Sequence, residues 1–323
     1  MKAVYAPNPG SAENLTVGEL PTPAPGPGQA LVKIVTSGVN FIDVYFRTGL
    51  YKADLPIQLG MEAAGVVEAV ASDVTIVKPG DRVAYAMARG SYAEYAVVPA
   101  WQLVPIPTGL DFDSAAATML QGMTAHYLAH STFPLKTGHT CIVHAAAGGV
   151  GLLLVQIAKK AGARVVATVG SDAKAELARQ AGADHVVNYS TQDFQAEAHG
   201  FTSGKGVDVV YDSVGASTFM KSLDSLRPRG MMVTYGNSSG PVPAVEPLLL
   251  NQKGSLFLTR PSLAFYAANR EELLWRSGEL FKWIQTGELK LRIEHTYPLA
   301  NARRAHEDLE GRKTTGKLLL HVQ

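Results

Sequence analysis

The sequence feature that most constrains this chain is the small-residue segment from Ala145 to Gly151, which joins an apolar run to a helix-like run. Thr140 to His144 is typical of a short buried strand, and Leu152 to Ala161 is typical of a helix. Small residues let the backbone turn tightly at such a junction, and the helix N-terminus then offers free N–H groups and the positive end of its dipole to an anion. We therefore expect a phosphate-bearing ligand at this turn.

The spacing of the small residues is that of a dinucleotide-binding fingerprint with one substitution. Ala146 stands at the first glycine position, whereas Gly148 and Gly151 fill the second and third. A second strand, Arg164 to Val169, and a helix, Ser171 to Gln180, complete the expected strand–helix–strand unit. The pattern predicts that a dinucleotide pyrophosphate lies against this turn.

The chain shows two kinds of pattern along its 323 residues. Up to about residue 110, short extended runs are cut by Gly and Pro, which is typical of a β-barrel. Strands and helices then alternate, which is typical of a parallel, doubly wound α/β sheet. We predict one domain from residues 1–120 and 261–323, with the segment after residue 260 packing back onto the first region, and a dinucleotide-binding domain from residues 121–260.

The other expected strands are Ala30–Val35, Gly65–Val70, Arg82–Ala86, Tyr92–Val98, Val186–Tyr189, Val207–Ser213, Met231–Tyr235, Ser255–Arg260 and Lys317–Val322. The other expected helices are Asp113–His130, Ala216–Leu226, Arg270–Gln285 and Ala300–Gly311.

Charge, cysteine content and hydropathy exclude several classes of protein. The formal net charge is +1 and no segment clusters Lys and Arg, so nucleic acid is not expected as the main partner. Cys141 is the only cysteine, and its place in the first strand of the fingerprint favours a buried small apolar residue. The N-terminus lacks the apolar core of a signal peptide, and no run approaches the ~20 apolar residues of a membrane span. We expect a cytoplasmic protein with no membrane partner.

Six motifs follow one another between residues 39 and 240, within a likeness that covers essentially the full length. They are Val39–Asp43 with Tyr45 and Tyr51, Gly60–Gly65, Pro79–Val83, Ala145–Gly151, Tyr211–Gly215 and Gly236–Gly240. With them the chain resembles the medium-chain dehydrogenase/reductase superfamily, and within it the zinc-free quinone oxidoreductases related to zeta-crystallin. The resemblance implies a Rossmann doubly wound sheet, a GroES-like barrel-type catalytic domain and NADPH as the cofactor.

The residues that would bind zinc in this superfamily are missing. In zinc-dependent relatives, a cysteine and a histidine ligate the catalytic zinc at positions that here hold Asn40 and Met61, and four cysteines hold a structural zinc. Such sites need thiolate or imidazole donors, so no metal site is expected. His126 and His130 have the spacing of metalloprotease helices, but Tyr127 stands where the glutamate should follow, which favours a packed pair.

The end of the second strand indicates which dinucleotide binds. NAD-binding sites place an acidic residue here, whereas this strand leads into Gly170 and Ser171, with Lys174 one turn into the helix. A hydroxyl, helix N-terminal amides and an ammonium favour the 2′-phosphate of NADPH. Asp172 is a nearby acid, expected as a partner of the helix dipole. The resemblance assigns Gly170, Ser171, Lys174 and Tyr189 to the 2′-phosphate end.

The resemblance also implies which residues surround the reacting end of the cofactor. They are Asn40, Thr124, Gly149, Val150, Ser213, Val214, Asn237, Ser238 and Lys317, in addition to Gly148 of the fingerprint. Asn40 and Thr124 are also counted as catalytic. Tyr45 and Tyr51 are candidates for the quinone side, because a phenol ring can stack on a flat acceptor and its hydroxyl can donate to a carbonyl. The alternative is that both rings only pack the cleft wall.

The implied reaction is metal-free transfer of a hydride, or of single electrons, from NADPH to a quinone in the cleft between the domains. One alternative keeps the fold and cofactor but reduces an enone, an alkenal or an enoyl thioester. Another is an NADPH-stabilised RNA-binding or structural protein, against which the neutral charge and the lack of an evident stacking platform argue.

Two further expectations concern the end of the sheet. The segment Gly236–Gly240 matches a hydrolase nucleophile elbow by letter, but Pro241 and Pro243 follow instead of a helix. We expect this glycine turn to close over the cofactor, as the resemblance implies. The edge strand Ser255–Arg260 is expected to pair across a two-fold axis in a homodimer.

Overall fold

The computed structural model describes residues 1–322. The chain divides into two compact units, the first formed by residues 1–123 with 266–323 and the second by residues 124–265. Cys141 is buried as expected, and burial raises the pKa of its thiol to about 12. No helix within residues 1–322 is both long and apolar enough to cross a membrane.

The strands are β1 (Lys2–Ala6), β2 (Thr16–Glu19), β3 (Gln29–Val39), β4 (Ile57–Gln58), β5 (Glu62–Val70), β6 (Arg82–Ala86), β7 (Tyr95–Pro99), β8 (Val104–Pro105), β9 (Thr140–Val143), β10 (Arg164–Val169), β11 (His185–Asn188), β12 (Val207–Asp212), β13 (Leu226–Thr234), β14 (Phe257–Thr259), β15 (Ile293–Pro298) and β16 (Lys317–His321). The α-helices are α1 (Phe41–Arg47), α2 (Phe112–Tyr127), α3 (Gly149–Lys160), α4 (Asp172–Gln180), α5 (Phe194–Phe201), α6 (Phe219–Asp224), α7 (Pro247–Gln252), α8 (Leu263–Tyr266), α9 (Arg270–Gln285) and α10 (Ala302–Glu310).

The second unit is built on a six-stranded parallel sheet in the order β11-β10-β9-β12-β13-β14. Its central strands are apolar on both faces, because helices cover both sides of such a sheet. The strand order reverses between β9 and β12, so the chain leaves these two neighbours in opposite directions. A crevice at the carboxyl ends of the strands is the usual ligand site of this architecture. The doubly wound α/β prediction is confirmed.

The first unit contains a seven-stranded sheet with the path β15-β16-β3-β5-β6-β8, in which β7 also pairs with β3, and a three-stranded sheet in the order β2-β1-β4. The long strand β3 holds this unit together, since β5, β7 and β16 all pair with it antiparallel. In the register of β16 on β3, Leu318 lies opposite Val39. Lys317 is thereby brought beside Asn40 at the start of α1.

Several element boundaries differ from the expected ones. Strand β13 begins at Leu226 rather than Met231, because Leu226 pairs with Val207 across an irregular register. The expected helix to His130 changes at Leu128 into a π-helical turn, whose Leu128 carbonyl accepts a hydrogen bond from the Tyr211 hydroxyl at 3.2 Å. The expected strand from Tyr92 begins only at residue 95, and β1 and α1 were not expected from the pattern.

Candidate active site

The turn between β9 and α3 has the close backbone approach that its sequence predicts. Ala145 adopts a left-handed conformation with φ of 49°. A Cβ on Gly151 would overlap the Ala145 carbonyl oxygen and lie 2.7 Å from Ala146 Cα, so only glycine fits here. The first N–H groups of α3, from Gly149 onwards, have no carbonyl partner within the helix and can point to a bound anion.

A buried histidine holds the start of this turn in place. His144 follows β9, with Nδ1 2.8 Å from Thr168 Oγ1 and Nε2 2.9 Å from Ser222 Oγ. Burial lowers the pKa of His144, despite the opposing charge of Asp212, so the imidazole is neutral at pH 7. It ties the turn to β10 on one side and α6 on the other.

The structure places the four residues expected at the 2′-phosphate end around the start of α4. Ser171 caps the helix and accepts a hydrogen bond from the Lys174 N–H at 3.4 Å. A Cβ on Gly170 would lie 2.7 Å from the Tyr189 hydroxyl, so that ring reaches the same turn. Asp172 accepts a hydrogen bond from Asn188 Nδ2 at 2.9 Å. This bond gives the nearby acid a partner beyond the helix dipole.

The loops after β12 and β13 are joined by hydrogen bonds. The Ser238 N–H donates to Ser213 O at 3.2 Å, and the Ser239 N–H donates to Val214 O at 2.8 Å. The Asp212 carboxylate orders the first loop by accepting from the Val214 and Gly215 N–H groups at 2.7 and 3.0 Å. Four of the expected site residues are thereby brought together: Ser213, Val214, Asn237 and Ser238.

The glycine-rich segment after β13 is not a nucleophile elbow. No helix follows it before α7 at Pro247, and its Ser238 is part of the loop pairing just described. His126 is buried and His130 half-buried, with ring centroids 4.4 Å apart, which is a packed pair. No group of three or more His, Cys, Asp or Glu within residues 1–322 could hold a metal ion.

In the first unit, Lys317, Asn40 and Glu62 form a buried cluster. Lys317 Nζ donates to Glu62 Oε1 and, at 2.9 Å, to Asn40 Oδ1. Asn40 Nδ2 donates to Glu62 Oε1 at 2.9 Å, and Gln121 Nε2 donates to Asn40 Oδ1 at 3.2 Å. Burial lowers the pKa of Lys317 to about 7, against the opposing charge of Asp43. Two of the expected residues, Asn40 and Lys317, are therefore in direct contact.

A second buried carboxylate lies at the start of α1. Asn40 and Asp43 form a capping box, in which the Asn40 N–H donates to Asp43 Oδ2 at 2.9 Å. The Gly60 N–H and the Tyr92 hydroxyl donate to the same carboxylate at 3.1 and 3.2 Å. Burial raises the pKa of Asp43 to about 7, although these hydrogen bonds and the Lys317 charge act in the opposite direction.

The hydrogen bonds continue from Tyr92 to the surface. His306 Nε2 lies 3.1 Å from the Tyr92 hydroxyl, and Nδ1 lies 3.2 Å from Arg47 Nη1. Arginine can only donate, so Nδ1 is the acceptor and Nε2 carries the proton. Arg47 also forms two hydrogen bonds of 2.8 Å with the Glu310 carboxylate. Burial, and then the charge of Arg47, lower the pKa of His306 to about 3.

The two tyrosines expected on the quinone side are in contact. Their ring centroids lie 5.4 Å apart with an edge-on angle of 66°, and the Tyr51 N–H donates to Tyr45 O at 3.0 Å. Tyr45 is buried, whereas Tyr51 is 36% exposed and can meet a ligand. Thr124, the remaining expected residue, is buried within α2.

Comparison with known proteins identifies the family. A family model described as an alcohol dehydrogenase GroES-like domain matches residues 26–108, and one described as a zinc-binding dehydrogenase matches residues 149–269. A quinone oxidoreductase of Pseudomonas aeruginosa is 48% identical over 298 residues, 92% of each chain. The chain belongs to the quinone oxidoreductases of the medium-chain dehydrogenase/reductase superfamily.

Two further members of the superfamily are informative about ligands. The crystal structure of an Escherichia coli quinone oxidoreductase complexed with NADPH superposes with a TM-score of 0.97 at 43% identity, covering 100% of both chains. A 2-haloacrylate reductase of Burkholderia sp. is 44% identical over 97% of each chain. The predicted fold, a Rossmann sheet with a GroES-like domain, is confirmed for this chain.

The residues of this chain do not fit the zinc ion that the family model's description names. Asn40 and Met61, at the positions that the family resemblance assigns to the zinc ligands, offer neither thiolate nor imidazole. The Asn40 carbonyl oxygen already accepts from the Lys317 ammonium. A metal cation at Asn40 would be repelled by the ammonium that already donates to its carbonyl oxygen.

Sequence reasoning missed the buried partners of the expected residues, namely Asp43, Glu62, Tyr92 and His306. Two signals were available. Asn40 and Asp43 have the spacing of a capping box, and Glu62 is a lone charge among small apolar residues, which indicates a buried carboxylate with a partner.

We predict that Gly151→Ala weakens NADPH binding at least about tenfold, the equivalent of roughly one net hydrogen bond. The added Cβ would push α3 away from Ala145 and misplace the N–H groups at the turn. Fluorescence titration with NADPH measures the effect. Gly200→Ala in α5, where nothing lies within 4 Å of the new Cβ, is the matched control. An unchanged dissociation constant in Gly151→Ala would contradict the assignment of this turn.

We also predict a specific acid sensitivity from His306. Its pKa falls from 6.5 to about 3 on folding, so the stabilisation by the neutral ring is complete above pH 6.5 and is lost as the pH falls towards 3. His306→Gln keeps a donor for Tyr92 and an acceptor for Arg47 but cannot titrate. Between pH 7 and 4.5, wild type should lose about 2–3 kcal/mol more unfolding free energy than this variant.

Urea unfolding at the two pH values measures this difference. The control is His295→Gln, at an exposed histidine of β15. Equal acid losses in wild type and His306→Gln would show that the buried ring is not kept neutral by the fold.

Proposed function

We propose that this protein is an NADPH-dependent quinone reductase that works without a metal ion. The observation that carries the proposal is the full-length match to a quinone oxidoreductase crystallised with NADPH. Curated quinone oxidoreductases of 45–48% identity point to the same activity. The phosphate turn after β9 and the buried polar cluster at Lys317 supply groups that such a reaction needs.

The second unit supplies the groups for the dinucleotide. We propose that the backbone at Gly148, Gly149 and Val150 binds the pyrophosphate, because the helix N-terminus of α3 is suited to an anion. The paired loops after β12 and β13 would line the path towards the nicotinamide with Ser213, Val214, Asn237 and Ser238. Their mutual hydrogen bonds fix this lining before the cofactor arrives.

The 2′-phosphate of NADPH is proposed to bind at the start of α4. Gly170, Ser171 and Lys174 offer a helix N-terminus, a hydroxyl and an ammonium, and Tyr189 lies over the same turn. The one nearby acid, Asp172, already accepts from Asn188. An anion is therefore better accommodated here than the ribose hydroxyl of NADH.

The first unit supplies the groups for the reaction. We propose that Asn40, Thr124 and Lys317 face the nicotinamide, and that Tyr45 and Tyr51 position the quinone. Tyr51 is the better candidate for direct contact because its ring is exposed, and Tyr45 supports it edge-on. A tyrosine hydroxyl that donates to the quinone carbonyl would stabilise the negative charge that develops on that oxygen.

When bound, NADPH supplies the hydride, and the quinone takes up one hydride and one proton to become a hydroquinone. The chain itself has to orient the acceptor, exclude water and donate hydrogen bonds to the developing oxyanion. None of these tasks needs a nucleophile, in agreement with the position of the only cysteine deep in β9.

The 2-haloacrylate reductase among the relatives represents a second class of acceptor, an activated double bond. The quinone oxidoreductases of Pseudomonas aeruginosa and Escherichia coli, at 48% and 47% identity, favour a quinone over a double bond as the acceptor. A direct comparison of the two acceptors is therefore part of the test.

The test is the initial rate of NADPH oxidation by chelator-treated protein with 1,4-benzoquinone, corrected for the reaction without protein. We expect rapid turnover that is selective for NADPH over NADH and faster than with 2-chloroacrylate. Tight NADPH binding with no quinone turnover would contradict the proposal. Faster turnover of the acrylate would assign the protein to double-bond reduction instead.

Lys174→Ala should weaken NADPH binding by about 1.5–3 kcal/mol, the range of a hydrogen bond to a charged group, and leave NADH binding unchanged. Dissociation constants for both cofactors measure this selectivity. Lys205→Ala, at an exposed lysine of the same unit, is the matched control and should change neither. Equal losses for both cofactors would remove the 2′-phosphate assignment.

A homodimer formed through β14 is also proposed. This strand is the edge of the six-stranded sheet, and Phe257 at its start is 58% exposed. An exposed apolar edge invites pairing with another strand, and a second copy of the same edge is a suitable partner. Sedimentation at micromolar concentration should show a dimer, and a monomer alone would contradict this part of the proposal.

A further inference from the structure

Glu62 is a fully buried carboxylate at the start of β5. Its Oε1 accepts from Lys317 Nζ and from Asn40 Nδ2, and its Oε2 accepts from the Leu120 N–H at 2.6 Å. A Cβ on Gly38 of β3 would overlap this carboxylate, so the neighbouring strand leaves room for it. Burying a charge is costly unless it is paired, and here both oxygens have donors.

The bonds of Glu62 fix the orientation of its two side-chain partners. The Asn40 amide can place only its NH₂ on the carboxylate, which turns its oxygen to the ammonium. The Lys317 ammonium has three N–H groups, and the structure of residues 1–322 records two acceptors for them, on Glu62 and Asn40. The third N–H, on a side chain that is 3% exposed, remains for a ligand.

The charge balance of the cluster restricts that ligand. The ammonium charge is already offset by Glu62, and Asp43 adds a second carboxylate nearby. An anion such as a phosphate would meet no excess of positive charge here. A neutral carbonyl oxygen needs only the hydrogen bond, and both the nicotinamide carboxamide and a quinone provide one.

We propose that Glu62 is a positioning residue for the reaction, which holds the Lys317 ammonium and the Asn40 amide so that one ammonium N–H is presented to a neutral carbonyl oxygen. This inference rests on the proposed function. The carbonyl belongs either to the nicotinamide carboxamide or to the acceptor, and the two sources are distinguished by where the loss appears when Glu62 is changed.

The test compares Glu62→Gln with Glu68→Gln, a matched control at an exposed glutamate of the same strand. Glutamine keeps the size and one acceptor oxygen but removes the charge that favours the protonated form of Lys317. In Glu62→Gln we expect kcat/KM for the quinone to fall at least about tenfold, a loss of 1.4 kcal/mol. The alkaline limb of its pH profile should move to lower pH by about one unit, while Glu68→Gln stays at wild type.

The direction of the pH shift follows from the groups that face Lys317. Asp43 of α1 raises the pKa of Lys317 against burial, and the Glu62 carboxylate of β5, in direct contact with the ammonium, also favours its charged form. Behind Asp43 lie Tyr92 and the neutral His306. Asp43 is unchanged in every variant. Replacing Glu62 therefore removes one of the negative charges that stabilise the ammonium, so the pKa of Lys317 falls.

The NADPH dissociation constant of each variant, measured by fluorescence, separates the two sources of the carbonyl. Weaker NADPH binding in Glu62→Gln assigns the N–H to the carboxamide. Unchanged NADPH binding with a lower kcat/KM assigns it to the acceptor. If Glu62→Gln keeps the wild-type kcat/KM and the alkaline limb of its pH profile at the wild-type pH, the proposal is overturned. It is also overturned if the activity per amount of folded protein equals that of wild type.

Glu62→Asp provides a second variant if Glu62→Gln does not fold. It keeps the charge but shortens the side chain, so we expect an alkaline limb near that of wild type and a lower kcat. A wild-type kcat in Glu62→Asp would contradict the positioning role. If wild type itself reduces no quinone, the proposed function fails, and the Glu62 inference is decided by the affinity for NADPH and its pH dependence.

Discussion

The second unit depends on the contact between the start of α3 and the end of β9. Because position 151 carries no side chain, the helix begins directly against the Ala145 carbonyl, and its first N–H groups lie at the carboxyl edge of the sheet. The neutral imidazole of His144 then fixes that edge to β10 and α6. The geometry that we propose for phosphate binding is therefore a property of backbone packing, and few side chains would need to contact the ligand.

The first unit obeys a different constraint, the pairing of buried charges. Four charged side chains of this unit are nearly inaccessible to water, and each has hydrogen-bond partners elsewhere in the unit: Glu62, Lys317, Asp43 and Arg47. Replacing one member of a pair leaves the other charge buried without a partner. The resulting loss of stability is larger than the stabilisation that the intact pair contributes. Asn40, at a position that the family resemblance assigns to a zinc ligand, here accepts a hydrogen bond from the ammonium of Lys317.

The elements that could be predicted from the sequence are those with local signals. Helix α9 begins at Arg270 and ends at Gln285 as expected, because Asn269 caps its start and Gly287 follows its end. The start of β13 could not be predicted, since it depends on the pairing of Leu226 with Val207. Within the candidate site, the motifs and the family resemblance predicted Asn40 and Lys317. They did not predict the contact of Lys317 with Glu62, because these two residues lie more than 250 positions apart in the chain. No local pattern reports such a contact.

The order of the segments along the chain has a consequence for biosynthesis. The second unit is continuous, so all of its strands have left the ribosome before β16 is made. The first unit is interrupted, and Glu62 and Asp43 are synthesised long before the lysine that offsets their charge. Until β16 pairs with β3, burial of Glu62 and Asp43 would leave both carboxylates without the positive charge of Lys317. The seven-stranded sheet can therefore be completed only after the second unit has been translated, which favours the order of folding in which the second unit forms first.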